Sequence, residues 1–559
     1  MRVVLAYKAN REGKDDPYTS LAPLGLGYLQ GVLISAGHHA VVANFSRSGW
    51  PAIRSFLRES APDVVAISQF THNRFESLRL ADEVKRQNPK SFVVMGGPHA
   101  TSRYRDILAS TSNVDAIVLG EGEDTLREVV DALSKSSSPS MHDIRGLAFL
   151  EGRSVAVTPR RPPLTDMDLL PVPAISLVQS WGLDLRRQLE FITTSRGCPA
   201  ACRFCSSPNF WSRQVRFRSP KTIVEEIRYI RDRFGLIYFS FRDDTFTADR
   251  KRVLELCRLL LEEQIYILWN CQSRVNHLDE ELLLAMKRAG CECVQLGVES
   301  GSHRLLEALG KRIAPEQVRQ AASAIRRVGI NLSIYLITGI PGETREDVLA
   351  TSKLIEEIRP QDGQISPLVY YPGTAMFAEA VAAGTVPGDL FEKNSAAAFP
   401  VLPAEATAPR MRTLLQALES VSSASCFKAR EFRQQKRFVG YSHVTNLLAG
   451  EAYEGEGRED LAEREYLEIV RQQPANPWGW LALGDLCGGS GRVAEAREAY
   501  TEVIRLVPAH APAYRALGDL IWLSGDRSDA KQYYRQVLQL DPLDEEARQK
   551  LENGRKAKK

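Results

Sequence analysis

Thr193-Thr-Ser-Arg-Gly-Cys198-Pro-Ala-Ala-Cys202-Arg-Phe204-Cys205-Ser206 closes a short apolar run and packs three thiols into eight positions. Three thiolates on one loop can ligate three irons of a [4Fe-4S] cube and leave the fourth iron without a protein ligand, open to a chelating substrate. A structural zinc site closes on four protein ligands, usually in two separated pairs. No second Cys/His pair of suitable spacing exists: Cys291 and Cys293 begin a strand pattern, Cys271 ends one, and Cys257, Cys426 and Cys487 fall in helical patterns. Those six read as small, partly buried apolar residues. Cys198, Cys202 and Cys205 are therefore the candidate metal-ligating and catalytic residues.

Around this loop, strand-like runs alternate with helical patterns: Glu190–Thr194, Ile237–Phe241, Ile265–Asn270, Val294–Val298, Leu332–Thr338 and Ile365–Tyr370. Six such units predict a partial β/α barrel over 185–380, with its chemistry at the C-terminal strand ends. Upstream, runs at Val3–Ala6, Ala40–Ala43, Val64–Ser68, Phe92–Met95 and Ala116–Leu119 predict a doubly wound, Rossmann-like α/β domain over 1–140, with a parallel sheet covered on both faces. Breaks at Ser134–Ser140 and Pro159–Pro163 suggest a linker over 141–184. Downstream, 381–439 reads as a mixed connector.

The last section, 440–559, repeats itself. Pro474, Pro508 and Pro542 lie thirty-four residues apart, as do Gly450, Gly484 and Gly518, and Tyr466, Tyr500 and Tyr534. That period and residue set resemble the α-helical tetratricopeptide repeat. Trp478, Trp480 and Tyr514 recur on first helices and are expected to pack between helices. Concave repeat surfaces also bind peptides, so a protein partner through the repeats is the second expectation.

Composition narrows the remaining classes. With 72 basic and 69 acidic residues in 559, the formal charge of +3 offers no electrostatic reason for a nucleic-acid or membrane-surface partner. No stretch approaches the roughly 18 apolar residues of a spanning helix, and Met1–Tyr7 reads as a first strand rather than a signal peptide. Nine cysteines with this clustering suit a reducing compartment, and a cytoplasmic location is expected.

Cys-x3-Cys-x2-Cys with an aromatic residue before the last cysteine resembles the signature of the radical S-adenosylmethionine (SAM) enzymes. The resemblance implies that SAM chelates the open iron and that Phe204 lies near its adenine. It also implies an acidic partner for the SAM amino group, Asp243 or Asp244. Arg274 would answer the SAM carboxylate, and Glu299 and Ser300, within Gly297–Gly301, would meet the methionine and ribose. Ile340 and Tyr370 lie in segments similar to those beside the adenine. An external electron donor of flavodoxin or ferredoxin type, and a small-molecule, peptide or carrier-tethered substrate, follow from the same resemblance.

The N-terminal strand ends carry Ser68-Gln-Phe-Thr71, Gly96-Gly97-Pro-His99 and Gly120-Glu121-Gly-Glu123, with Pro23–Gly27 opening the first helix. Glycines there let backbone approach a bulky ligand closely. The set resembles the cobalamin-binding domain that precedes the barrel in one radical SAM subfamily, and implies cobalamin contacts at Ser68, Thr71, Gly96, Gly97, His99, Gly120 and Glu121. Domains that give cobalt a histidine carry Asp-x-His-x-x-Gly after the second strand, whereas this chain has Asn44-Phe-Ser46-Arg-Ser-Gly49. Binding without protein histidine ligation is expected, with His72 the residue most able to overturn that. The implied reaction is methylation of an unactivated carbon through a 5′-deoxyadenosyl radical and methylcobalamin. Radical cyclisation or rearrangement with the same cofactors is the alternative, and a non-catalytic cobalamin-responsive adaptor is opposed by the intact cysteine trio. A methylthiotransferase would need a further N-terminal cysteine trio, and the first cysteine is Cys198.

Overall fold

The computed structural model of the chain describes residues 1–9, 17–136, 138–393, 396 and 398–556; Ser137, inside one expected break, lies outside them. Five apolar runs, β1 (Arg2–Tyr7), β2 (His39–Asn44), β3 (Val64–Ser68), β4 (Phe92–Gly96) and β5 (Ala116–Val118), pair in parallel and alternate with helices. Val3, Val4, Leu5 and Ala6 are all buried, as expected of a strand covered on both faces.

The structure departs from a purely parallel sheet. The segment expected as a linker supplies a hairpin, β6 (Leu147–Glu151) and β7 (Ser154–Val157), that pairs antiparallel with β5, and a short strand, β8 (Ser180–Trp181), beside β2. The sheet is therefore eight-stranded and mixed, in the order β7-β6-β5-β4-β3-β1-β2-β8. Leu147, Ala148 and Phe149 are buried against β5, and that burial holds the hairpin on an otherwise open edge.

Next come β9 (Phe191–Ile192), a small antiparallel ribbon of β10 (Ser195–Arg196) and β11 (Arg216–Phe217), and then β12 (Tyr238–Phe241), β13 (Leu268–Ser273), β14 (Cys291–Glu299), β15 (Asn331–Thr338) and β16 (Asp362–Pro367). The order β16-β15-β14-β13-β12-β9 gives six parallel strands with two edges, the partial barrel expected. On β15, Leu332, Ile334 and Leu336 are buried beneath the outer helices, while Ser333 and Tyr335 line the interior. One apolar core runs from Val3 through Phe239 to Val439, so the first sheet, the barrel and the connector helices pack as one body.

Helices Ala404–Ser425 and Ala429–Val439 lead into three helix pairs, 443–472, 477–506 and 511–540, and a last helix, Glu545–Lys556. The thirty-four-residue glycines and tyrosines explain each other. A β-carbon on Gly484 would lie 2.6 Å from the Tyr500 ring, and one on Gly518 2.9 Å from that of Tyr534. Tyr500 and Tyr534 then donate to Asp485 and Asp519 at 2.6 and 2.7 Å. Trp478, Trp480 and Tyr514 are partly buried among these helices, as expected.

One edge of the array is occupied within the chain. Its inter-repeat turns press on the N-terminal end of the barrel: His510 Nδ1 bonds Gly235 O at 2.8 Å, Arg186 reaches Asp541 at 3.6 Å, and Ser442 donates to Lys287 O at 3.1 Å. No described helix is long and apolar enough to cross a membrane.

Candidate active site

The cysteine loop leaves β10 and lies over the C-terminal strand ends. Cys198, Cys202 and Cys205 line one cavity of about 210 Å³ with Phe204, Ser207, Asp244, Gln272, Arg274, Gly297, Glu299 and Lys311. Cys198 Sγ lies 3.4 Å from Thr245 Oγ1, and Arg274 Nη1 lies 3.8 Å from Cys202 Sγ. Burial pushes the Cys205 thiol up to about 11. The donor set fits a [4Fe-4S] cluster: three sulfurs share the cavity and no fourth cysteine or histidine lines it. Nor do the sulfurs converge as ligands of a single ion would; the trio within 4.8 Å of one another among the described residues is Glu463, Cys487 and Glu495, in the repeats.

The two candidate aspartates separate cleanly. Asp243 is 1% exposed, and its carboxylate accepts from the Thr194 and Ser195 backbone N–H groups at 2.6 and 3.0 Å and from the Thr194 hydroxyl, with Arg252 at 3.8 Å. Its acceptor capacity is spent on the chain. Asp244 faces the cavity and accepts from Ser207. Arg274 also lines the cavity and donates to Lys311 O at 2.9 Å. Glu299 lies there paired to Lys311 at 2.6 Å, with φ +67°, a conformation that costs a non-glycine residue about 1–3 kcal/mol.

Ser300, Ile340 and Tyr370 do not line this cavity. Ser300 bonds Thr351 at 3.2 Å, Ile340 packs in one apolar cluster with Phe204, and Tyr370 packs with Phe377 and Phe391. Of the three, Ile340 backs a lining residue, Phe204. Sequence reasoning missed Gln272, Gln295, Lys311 and Tyr335. For the three on strands the available signal was period-two alternation: on β14 Gln295, Gly297 and Glu299 turn inward between buried Val294, Leu296 and Val298, whereas Lys311 lies in the loop after helix His303–Ala308 and carried no such signal.

A second cavity, of about 570 Å³, occupies the barrel interior between the edge strands β9 and β16. It is lined by Phe191, Arg242, Gln295, Ser333, Tyr335, Asp362 and Gln364, and is bordered by residues 21–24 of the N-terminal domain. Tyr335 donates to Gln295 at 2.9 Å, and Gln188 tethers the bordering loop by accepting from Ala22 N at 2.8 Å.

The third cavity, about 330 Å³, lies between the ends of the first sheet and the barrel. Ser68, Gly96, Gly97, Gly120 and Glu121 line it, with Pro23, Gly25, Phe70, Trp211, Arg242 and Asp244. Thr71 and His99 do not. They bond each other at 3.1 Å, with Phe391 against the His99 ring, and burial, reinforced by Arg74 and Arg103, pushes His99 down to about 3. His72 is likewise outside the lining: it bonds the Tyr7 hydroxyl at 3.0 Å and stacks on Phe70. Asn44 and Ser46 hold neighbouring backbone, Asn44 donating to Thr19 O and Leu21 O and Ser46 accepting from Ala9 N. The open strand ends, glycine-rich rim and apolar wall of Leu26, Val94 and Val118 fit a large, partly apolar cofactor such as cobalamin.

Across the junction, Arg196, two residues before Cys198, is buried between Glu123 and Glu121, the latter at 3.7 Å, and its guanidinium lies 4.9 Å over the Trp211 ring. Arg216 reaches Glu121 at 2.5 Å. The rim of the third cavity and the cysteine loop are thus tied by buried ion pairs.

Comparison with known proteins places these features in company. The family model of the radical SAM superfamily matches residues 192–355, that of the B12 binding domain 16–130, and that of the tetratricopeptide repeat 511–542. An uncharacterized methyltransferase of Pyrococcus horikoshii is 33% identical over 369 residues, 65% of this chain and 79% of that protein. An anaerobic magnesium-protoporphyrin IX monomethyl ester cyclase of Cereibacter sphaeroides is 29% identical over 399 residues, 68% of this chain and 63% of that protein. The solved structure of the radical SAM methyltransferase TsrM from Kitasatospora setae, with cobalamin and [4Fe-4S] cluster bound, shares the fold with TM-score 0.61 at 18% identity, over 84% of this chain and 100% of that one.

Proposed function

The chain belongs to the cobalamin-binding radical SAM enzymes, and we propose that it transfers a methyl group to an unactivated carbon of its substrate. One observation carries the reading. At the exit of β12, Arg242 lines both the barrel cavity and the cavity of the first sheet, while Asp244 lines the latter and the cysteine cavity. A substrate in the barrel therefore borders both cofactor sites. When bound, the cluster and SAM supply a radical able to remove hydrogen from carbon, and cobalamin supplies the methyl group.

Cys198, Cys202 and Cys205 hold the cluster. Asp244 takes the SAM ammonium and Arg274 its carboxylate, by charge-assisted hydrogen bonds. Phe204, backed by Ile340, offers an apolar face to the adenine. The Glu299–Lys311 pair fixes the strand end at the ribose side. Ser68, Gly96, Gly97, Gly120 and Glu121 present the rim to cobalamin. An external donor of flavodoxin or ferredoxin type delivers the electron.

The test is anaerobic: reconstitute the cluster, add SAM, cobalamin and reductant, and measure 5′-deoxyadenosine. None, from protein with a verified cluster, refutes an enzymatic role. Comparative mass spectrometry of a deletion strain then separates reactions. A missing product heavier by one methyl supports methylation; a product without added methyl mass favours the cyclisation suggested by the cyclase relatives.

A further inference from the structure

Where the chain leaves β12, Phe241 and Asp243 are buried while Arg242 and Asp244 line the cavities. Four neighbouring arginines are matched by carboxylates: Arg196 by Glu123, Arg216 by Glu121, Arg218 by Glu226 and Arg252 by Asp243. Arg242 differs. Its backbone N–H donates to Ile192 O and its guanidinium lies 4.7 Å over the Phe191 ring, but it forms no side-chain hydrogen bond or ion pair with any described residue. A half-buried guanidinium facing a cavity, without a counter-charge, is incompletely solvated and selects an anion.

The rest of the barrel cavity narrows the class of that anion. Gln295, Gln364, Ser333 and Tyr335 offer amides and hydroxyls, and Asp362, at the exposed edge, accepts from Ser333 at 3.2 Å. Arg242 is the one cation of this lining and Asp362 the one carboxylate. A phosphate dianion would call for more positive charge than one arginine supplies, whereas a carboxylate matches a single guanidinium fork. A wall this polar is also a poor surface for a wholly apolar polycyclic substrate.

Resting on the function proposed above, we propose that Arg242 anchors a carboxylate of the substrate, which is a polar, carboxylate-bearing small molecule or an amino-acid residue with a free carboxylate. The aromatic face of Phe191 holds the guanidinium plane, leaving its N–H groups to the ligand.

The test uses the reconstituted holoenzyme and a panel of N-acetyl amino acids alongside their carboxamides, with binding read by ultrafiltration and mass spectrometry. Acids are expected to bind at least about tenfold tighter than amides, a preference that Arg242→Met removes and Arg242→Lys partly keeps. Equal binding of acids and amides, no acid bound by the wild type, an acid preference intact in Arg242→Met, or inorganic phosphate competing as well as the acids would each overturn the assignment. Arg242→Met that loses cobalamin absorbance but keeps the acid preference would move Arg242 to the cobalamin site. Wild-type formation of 5′-deoxyadenosine, measured separately, tells failure of the reaction from failure of this selectivity.

Discussion

Where the chain turns after β12, neighbouring Asp243 and Asp244 meet different surroundings, one buried and one lining the cysteine cavity. Asp243→Asn replaces an acceptor of two backbone N–H groups with a side chain that also donates, beside buried Arg252. It should lower stability by roughly 2–4 kcal/mol, seen as a lower melting midpoint of the apoprotein. Asp244→Asn should leave that midpoint nearly unchanged and weaken SAM binding by about tenfold, checked by titrating SAM into cluster-loaded protein. Equal effects of both variants on stability would refute the division. At cobalt, the histidines are otherwise engaged: His72 with Tyr7, and His99 with Thr71. The electron paramagnetic resonance spectrum of the cob(II)alamin form should therefore lack superhyperfine coupling from a protein nitrogen, and His72→Ala should not alter it. A nitrogen pattern lost in that variant would assign His72 to the metal.

At the scale of elements, the seam between barrel and repeats buries groups that prefer water. Lys287, fully buried at the end of helix Glu280–Arg288, donates to Gly329 O, and burial pushes it down to about 7. Burial likewise pushes His510 and His443 down to about 4. For all three the folded pKa lies below the unfolded one, so the unfolded chain binds more protons between the two values and stability rises with pH there. The windows are about 4 to 6.5 for the histidines and about 7 to 10.4 for the lysine. The melting midpoint should thus rise from pH 5 to 6.5 and again from pH 7 to 9. Lys287→Met should remove the second rise, and His510→Gln should reduce the first; unchanged slopes in these variants would contradict the seam's electrostatics.

For the whole molecule, the repeats are part of the folded body. Gly235 ends helix Pro220–Phe234 with φ +67°, and a β-carbon there would collide with the Ala509 backbone, so only glycine suits both the cap and the seam. Truncation after residue 439 should lower the melting midpoint and expose the barrel's N-terminal end, while 5′-deoxyadenosine formation at low temperature persists, because the repeats do not line the cysteine cavity. Gly235→Ala should loosen the same seam in the full chain, read as faster proteolysis near Gly440. A truncation as stable as the full chain would show the seam to be inconsequential.

What could be read from the chain alone was written in short-range patterns. The cysteine spacing, the strand-helix alternation and the thirty-four-residue period each depend on residues close in sequence or on a repeat of one local unit, and all three appear in the fold. The hairpin at 147–157 was less legible, because its strands are short and its pairing partner, β5, is remote. The different surroundings of Asp243 and Asp244, the position of Thr71 and His99 outside the cavity wall, and the ion pairs of Arg196 with Glu121 and Glu123 appear only in three dimensions. The physical reason is that an ionisable side chain's role depends on which distant groups satisfy it once water is excluded. Asp243 is spent on backbone N–H groups and Arg196 on two glutamates, while the guanidinium of Arg242 faces a cavity with no hydrogen bond or ion pair to a described residue.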